Sequence, residues 1–374
     1  MRGLRNMIPL YSVHIPQGTA GTVEAVLKSG RIAGGEHVHG FEQKLQELIG
    51  NPLVIAAGEM SASIAMCLYQ ACVRPGDDVV ACPMSCLATT VPVLNLFANI
   101  QWCDCDPRTG GMDPVSLASA ITPRTKAVIA FHWAGNPLDL DPIYEVAGAR
   151  GIPVIEDASE ALGAEYKLKK LGSTGADFVV FSFYPNKHLT TIEGAAVSFR
   201  SGEQWEKARW LRRYGIHAPT FRCDDGELNP ESDIREAGWN NSMNQVSASV
   251  GLAQFEDLGS RLLACRRNGE FYDRCLSGVS GLTLLDRPPD SRSAYWVYTF
   301  LVRDRDRLMS ELKSSGIQAS KVHLRNDIYG CFGTGAADLP GVREFSARTL
   351  SIPCGWWVTP EDAERIVQTI MAKI

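Results

Sequence analysis

The sequence predicts an α/β fold built on a mainly parallel sheet, and three observations carry that reading. Between residues 53 and 199, short apolar runs bounded by Gly, Pro and Asn read as fully buried strands. They alternate with stretches of helical periodicity, the pattern of strands covered by helices on both faces and joined by right-handed crossovers. Third, no GxGxxG follows a strand with an acidic residue about twenty positions on, which sets the fold apart from dinucleotide-binding relatives. The chain has 374 residues, of which 45% are hydrophobic and 21% charged, enough for a large core and two domains. Its net charge of -5 argues against a nucleic-acid surface, and no run of eighteen apolar residues suggests a membrane span. The opening MRGLRNMIPLYSVHIPQG has no continuous apolar stretch or cleavage site, so a cytoplasmic address is expected.

In chain order, Thr19 to Ser29 and Val38 to Ile49 read as helices separated by Gly30 and Gly34-Gly35. Leu53 to Ala56 reads as a strand, Gly58 to Ser61 as a turn and Ala62 to Cys72 as a helix. The next strands are Val79 to Ala81, Ile100 to Cys103 and Ala127 to Phe131, the last ending in His132-Trp133. Ile152 to Ile155 follows, ending in Glu156 and Asp157; then come Phe178 to Phe183, a loop holding Lys187, and Ala195 to Phe199. The basic stretch up to Arg213 reads as a solvated helix. From Ser260 onward strands thin out: Tyr295 to Val302 is a strand, and Asp306 to Ser315 and Glu361 to Ala372 are helices. The expected domains are a large one over 1–255 and a smaller C-terminal α/β one over 256–374, with residues 1–35 placed to pack against the second. The eleven cysteines include no CxxC pair or zinc-type spacing, so no metal site is expected and the thiols read as reduced and mostly buried.

In open α/β sheets the carboxyl ends of the strands gather at one crevice, so Asp157, Ser182 and Lys187 can meet there. An acid, a hydroxyl and an amine at one crevice suit pyridoxal 5'-phosphate. The amine bonds the cofactor's aldehyde, the carboxylate keeps the pyridine nitrogen protonated, and hydroxyls help hold the phosphate. A loop lysine is commonly a solvated charge and an Asp after a strand commonly a helix cap. Their ordered combination is what points to the cofactor.

The segments EDASEALGAEY and LGSTGADFVVFSFYPNKHLTTIEGA resemble the cofactor-binding core of the pyridoxal-phosphate-dependent sugar aminotransferases of the DegT/StrS family. The resemblance implies an aspartate-aminotransferase-like fold, with Lys187 as the catalytic amine, Asp157 at the ring nitrogen and Glu160 near the ring. It makes GEMSAS the phosphate turn through Met60, Ser61 and Ala62, with Ser61 where Thr is usual and Met60 replacing Gly. Cys86 takes the place of an aromatic residue that stacks on the ring in many relatives. In GWNNSM, Asn240 matches an asparagine that reaches the phosphate of the neighbouring subunit, implying a homodimer with shared sites, while Ser242 replaces the usual Arg. Arg31, His132, His323 and Arg325 are candidate contacts for a sugar or diphosphate, each with an ordinary structural reading beside it. The implied activity is transfer of an amino group, from a donor such as glutamate, to a keto group of a nucleotide-activated deoxysugar. Alternatives are a keto-cyclitol or free keto-sugar substrate, or a non-catalytic regulatory protein that binds the cofactor. A dehydratase of GDP-keto-deoxysugars, in which His replaces the lysine, ranks lower because Lys187 is present and His188 merely follows it.

Overall fold

The computed structural model describes residues 7–333 and 338–374, so the first six residues of the N-terminal segment lie outside it. Among the described residues the strands are β1 (Val54–Ala57), β2 (Asp78–Ala81), β3 (Asn99–Trp102), β4 (Thr125–Phe131), β5 (Val154–Asp157), β6 (Glu165–Tyr166), β7 (Lys169–Lys170), β8 (Phe178–Ser182), β9 (Ala195–Phe199), β10 (Leu282–Leu284), β11 (Tyr298–Val302) and β12 (Thr349–Ile352). Seven of them form one sheet in the order β1-β9-β8-β5-β4-β2-β3. It is parallel except for β9, which runs antiparallel to both β1 and β8.

Alternate residues of each central strand feed two different cores. Val54, Val128, Val154 and Val179 pack on one face with Phe41, Leu45, Leu117 and Ile143 of covering helices. Their neighbours Ile55, Ile129, Ile155 and Val180 pack on the other with Ile64, Leu68, Val93 and Ala208. Burying both faces is what makes these strands read as unbroken apolar runs. Fully burying one such side chain stabilises by roughly 1.5–3 kcal/mol.

The helix Phe255–Leu276 opens a second layered unit. It packs with the helices Arg305–Ser314 and Pro360–Lys373 against the antiparallel sheet β10-β11-β12, around Tyr272, Tyr298, Phe300, Leu350 and Ile366. The strand β12 and the helix Pro340–Arg348 before it are not among the elements expected from the sequence. Residues 8–10 join this unit: Ile8 pairs in parallel with Ile317, and the Trp357 indole donates to the Pro9 carbonyl at 2.8 Å. A further apolar cluster, with Leu10, Met84, Phe131, Trp133, Trp296 and Phe345, joins the two units at the carboxyl ends of β2 and β4.

Candidate active site

The strand ends deliver an acid and an amine to one place. Asp157 is the last residue of β5, opposite Phe131 of β4 and Val180 of β8, and is fully buried. The strand starts and ends two residues later than its apolar run suggests, because Glu156 and Asp157 belong to it. Asp157 Oδ2 accepts from the Thr89 hydroxyl at 2.6 Å and Oδ1 from the Ser159 N–H at 2.9 Å. Burial raises its carboxyl pKa, and these hydrogen bonds and the Lys187 charge offset only part of that rise. A buried carboxylate with so little positive charge beside it is poised to take a cationic partner.

Lys187 stands in a loop closed by the Thr191 N–H donating to the Phe183 carbonyl at 2.9 Å. Its Nζ lies 3.7 Å from Glu160 Oε1 and 4.0 Å from the centroid of the Trp296 ring. Glu160 is fully buried, accepts from the Ala134 N–H at 2.8 Å, and pairs with His323 Nε2 at 2.8 Å. Burial alone would raise its carboxyl, but Lys187, His323 and the Ala134 amide together bring it below the usual range. Glu160 is therefore ionised and His323 donates to it. Cys86 sits at the N-cap of the helix Leu87–Asn95, close enough to feel the charges of Asp157, Lys187 and Glu160, and burial pushes its thiol pKa up. Asn326 holds this corner by donating to Thr90 Oγ1 at 2.9 Å and to the Cys86 carbonyl at 3.3 Å.

The turn after β1 carries an anion of its own. The helix Met60–Gln70 begins two residues earlier than its pattern predicts, so Met60 and Ser61 open the first helical turn. Its N-cap is Glu59, whose carboxylate accepts from the N–H groups of Ser61 at 2.9 Å and Ala62 at 2.8 Å. Asn241 pins the turn from below, accepting from the Glu59 N–H at 2.8 Å and donating to Ser63 Oγ at 3.0 Å.

The family model of the DegT/DnrJ/EryC1/StrS aminotransferases matches residues 15–371. The chain belongs to this family. It is 30% identical over 343 residues to the GDP-perosamine synthase of Caulobacter vibrioides, covering 90% of each chain. Among solved structures it is similar to AtS13 from Actinomadura melliaura (35% identity, TM-score 0.93, 99% of this chain and 100% of that one). It is also similar to the sugar aminotransferase CalS13 from Micromonospora echinospora (33% identity, TM-score 0.92, 98% and 100%). An enzyme of this family is a pyridoxal-phosphate-dependent aminotransferase, and the α/β fold with its large, mostly parallel sheet agrees.

The residues present fit that cofactor. Asp157 offers a buried carboxylate to a ring nitrogen, Lys187 an amine next to Glu160 whose charge also reaches Asp157, and Asn186 Oδ1 is a buried acceptor that no described protein group satisfies. Ser182 ends β8 with its hydroxyl accepting only a long bond, 3.3 Å, from the Tyr184 N–H. The Ser61 and Ala62 N–H groups donate to an anion, as Glu59 demonstrates. A phosphate seated there has to displace the Glu59 carboxylate. Glu59→Gln should therefore tighten cofactor binding, lowering Kd by about fivefold for a capping difference of about 1 kcal/mol, while slightly destabilising the cofactor-free protein. Titrating the cofactor-free protein and following visible absorbance measures this. An unchanged or raised Kd would place the phosphate elsewhere.

Several expected substrate contacts are differently engaged. His132 is fully buried, with Nε2 3.0 Å from Glu156 Oε2 and Nδ1 accepting from the Leu138 N–H at 3.0 Å, so it has no free nitrogen for a sugar. It is a strand-end cap, tied through Glu156 to Tyr144 and Thr174. Arg325 forms a fork with the carboxylate of Asp327, which occupies its guanidinium. Arg31 is exposed, and its carbonyl accepts from Gln245 at 3.1 Å. Asn240 is exposed too, lining with Gly35, His39, Arg213 and Ser242 a surface groove of about 520 Å³. Of the four candidate substrate contacts, His323 alone reaches the cluster around Lys187. Thr89, Trp296, Tyr11 and Asn241 were not singled out from sequence, since each meets the site only through contacts between distant segments.

Proposed function

We propose that this enzyme transfers an amino group, with glutamate as donor, to a keto group of a nucleotide-activated deoxysugar in the cytoplasm, for cell-surface polysaccharide or natural-product synthesis. The observation that carries the reading is the likeness to GDP-perosamine synthase over 90% of both chains, with Lys187 present beside Asp157 and Glu160. Pyridoxal phosphate supplies an aldehyde for the lysine and a ring that withdraws electrons from the reacting carbon. Lys187, Asp157, Ser182 and the Ser61 and Ala62 amides would hold it. Asp157 keeps a proton on the ring nitrogen through a charge-assisted bond in a dry crevice. Lys187 Nζ carries the proton to and from the substrate carbon. Glu160, held in place by His323 and the Ala134 amide, gives the amine a fixed counter-charge.

His188 supports amino transfer over the lysine-free dehydration. It is buried, bonds the Ala294 carbonyl at 3.0 Å, and burial lowers its pKa to about 4, so it is a neutral structural residue next to an intact amine. The reading is tested by mixing the cofactor-loaded enzyme with glutamate and a panel of keto-sugar nucleotides, keto-cyclitols and free keto-sugars, and following the cofactor's absorbance through both half-reactions. Turnover of only the cyclitols or free sugars would overturn the nucleotide-sugar assignment.

The exposure of Asn240 supports a homodimer in which each site draws on both chains. Mixing Asn240→Ala with Lys187→Ala subunits should then restore about a quarter of wild-type activity, because half of randomly mixed dimers hold one intact site. A monomer by mass, or mixtures no more active than either variant, would rule the shared site out.

A further inference from the structure

We propose that Trp296 is a positioning residue that holds the amine of Lys187 off Glu160 and ready to react. The proposal rests on the reading that Lys187 bonds the cofactor. A lysine beside a buried carboxylate ordinarily closes to a hydrogen bond of about 2.8 Å. Here the Nζ to Oε1 distance is 3.7 Å, and the amine lies instead over the indole face, 4.0 Å from its centroid. An ammonium is attracted to that face, and the attraction grows where water is excluded. Lys187 has a side chain 12% exposed.

The indole is itself fixed on every side. Its Nε1–H donates to the Asn186 carbonyl at 2.6 Å, gripping the residue before Lys187. Its backbone N–H donates to the Ala134 carbonyl at 3.1 Å, and the N–H of the same Ala134 holds Glu160 Oε2. One residue thus ties together the amine's loop and the carboxylate's support. Tyr11 stacks on the ring at 4.8 Å and 25°, His323 lies nearly parallel at 6.4 Å, and Trp296 is 4% exposed. The ring has no room to tilt away. The amine, on a stem with four rotatable bonds, is thereby confined without being locked into a tight ion pair.

If Trp296 were smaller, the amine would fall onto Glu160 and have to break that pair before each encounter with the cofactor. The reaction to watch is condensation: Nζ bonds the aldehyde carbon and the oxygen leaves as water. Hydride from borohydride then reduces the C=N bond and fixes a phosphopyridoxyl group on the lysine, read by mass on the peptide that carries Lys187. Full-length protein freed of cofactor is mixed with pyridoxal phosphate and quenched with borohydride over time, for wild type, Trp296→Phe, Trp296→Leu and Trp296→Leu/Glu160→Gln.

Trp296→Leu should slow trapping on the order of ten- to a hundredfold, the scale of a misplaced reacting group. Trp296→Phe, which keeps a ring but loses the donor to Asn186, should fall between. Adding Glu160→Gln to Trp296→Leu should recover most of the rate, because the trap is gone; a loss of general structure would not be rescued this way. Wild-type trapping by Trp296→Leu, or a slow rate that the second substitution leaves slow, overturns the proposal. Should Trp296→Leu fail to fold, an unchanged rate in Trp296→Phe overturns it and a slowed one upholds it. Trapping of wild type at a residue other than Lys187 would instead bring down the cofactor assignment beneath it.

Discussion

Lys187→Ala should abolish turnover, with a loss of at least roughly 10⁴-fold. The side chain carries two duties in the proposed reaction, covalent attachment of the cofactor and proton transfer at the substrate carbon, and the second alone is worth about 10²–10⁴. Lys187→Arg should not restore activity, since a guanidinium neither gives up its proton near neutral pH nor bonds an aldehyde. The fold should survive, because among the described residues the lysine makes no hydrogen bond through its amine and the loop is closed by backbone groups. One local change follows from the charges around Glu160. Lys187 is the strongest of the influences that lower its carboxyl pKa against burial, so removing the amine should raise that pKa and leave the carboxylate held by its hydrogen bonds to His323 and the Ala134 amide. Steady-state rates, together with the visible absorbance of the cofactor-loaded protein, measure the outcome. A variant that kept near-wild-type turnover and the lysine-linked absorbance would remove Lys187 from the chemistry.

The parts of this site legible in the sequence are those that depend on one segment. Asp157 could be found because a buried parallel strand writes an uninterrupted apolar run and its carboxyl end is where polar chemistry begins. Lys187 stood out in a loop between two such runs. What could not be read are the partners that complete each group. Thr89 reaches Asp157 across 68 residues and His323 reaches Glu160 across 163, and such pairings leave no period in the chain. The early start of the helix at Met60 was hidden because its cap is a glutamate, a residue less favoured at that position than Ser, Thr, Asp or Asn. His132 allowed two readings, a site contact or a polar cap on the strand end, and the structure shows the cap. A histidine at a strand end looks exposed to the crevice, but Glu156, the residue beside Asp157 and on the opposite face of β5, turns it inward and uses both nitrogens with Leu138. In the small unit, β10 has three residues and β12 four, too short to outweigh neighbouring helical pattern. Tertiary pairing made them strands.

Asp157→Asn separates the acid's electronic duty from its shape. Turnover should fall by several orders of magnitude, a barrier increase of about 3 kcal/mol or more at ~1.36 kcal/mol per tenfold, because the neutral amide no longer keeps the ring nitrogen protonated. The pocket should persist: the new amide oxygen can accept from the Ser159 N–H, and the amide nitrogen can donate to Thr89 once that hydroxyl rotates. Stability then gives a reading independent of activity. Burial raises the Asp157 carboxyl pKa in the folded, cofactor-free protein above its unfolded value, so the folded state binds the proton more tightly. The associated stability is fully present below the unfolded carboxyl pKa, about 3.9, and is lost as pH rises through the raised folded value. At neutral pH the ionised group weighs against folding, and Asn does not. The melting temperature of cofactor-free Asp157→Asn relative to wild type should therefore climb as pH is raised through that window and level off above it. Adding cofactor should reverse the order, since only the wild type gains a charge-assisted bond to the ring nitrogen. A variant with unchanged turnover, or one whose relative stability is flat with pH and whose gain on cofactor binding matches wild type, would show that Asp157 does not face the cofactor's nitrogen.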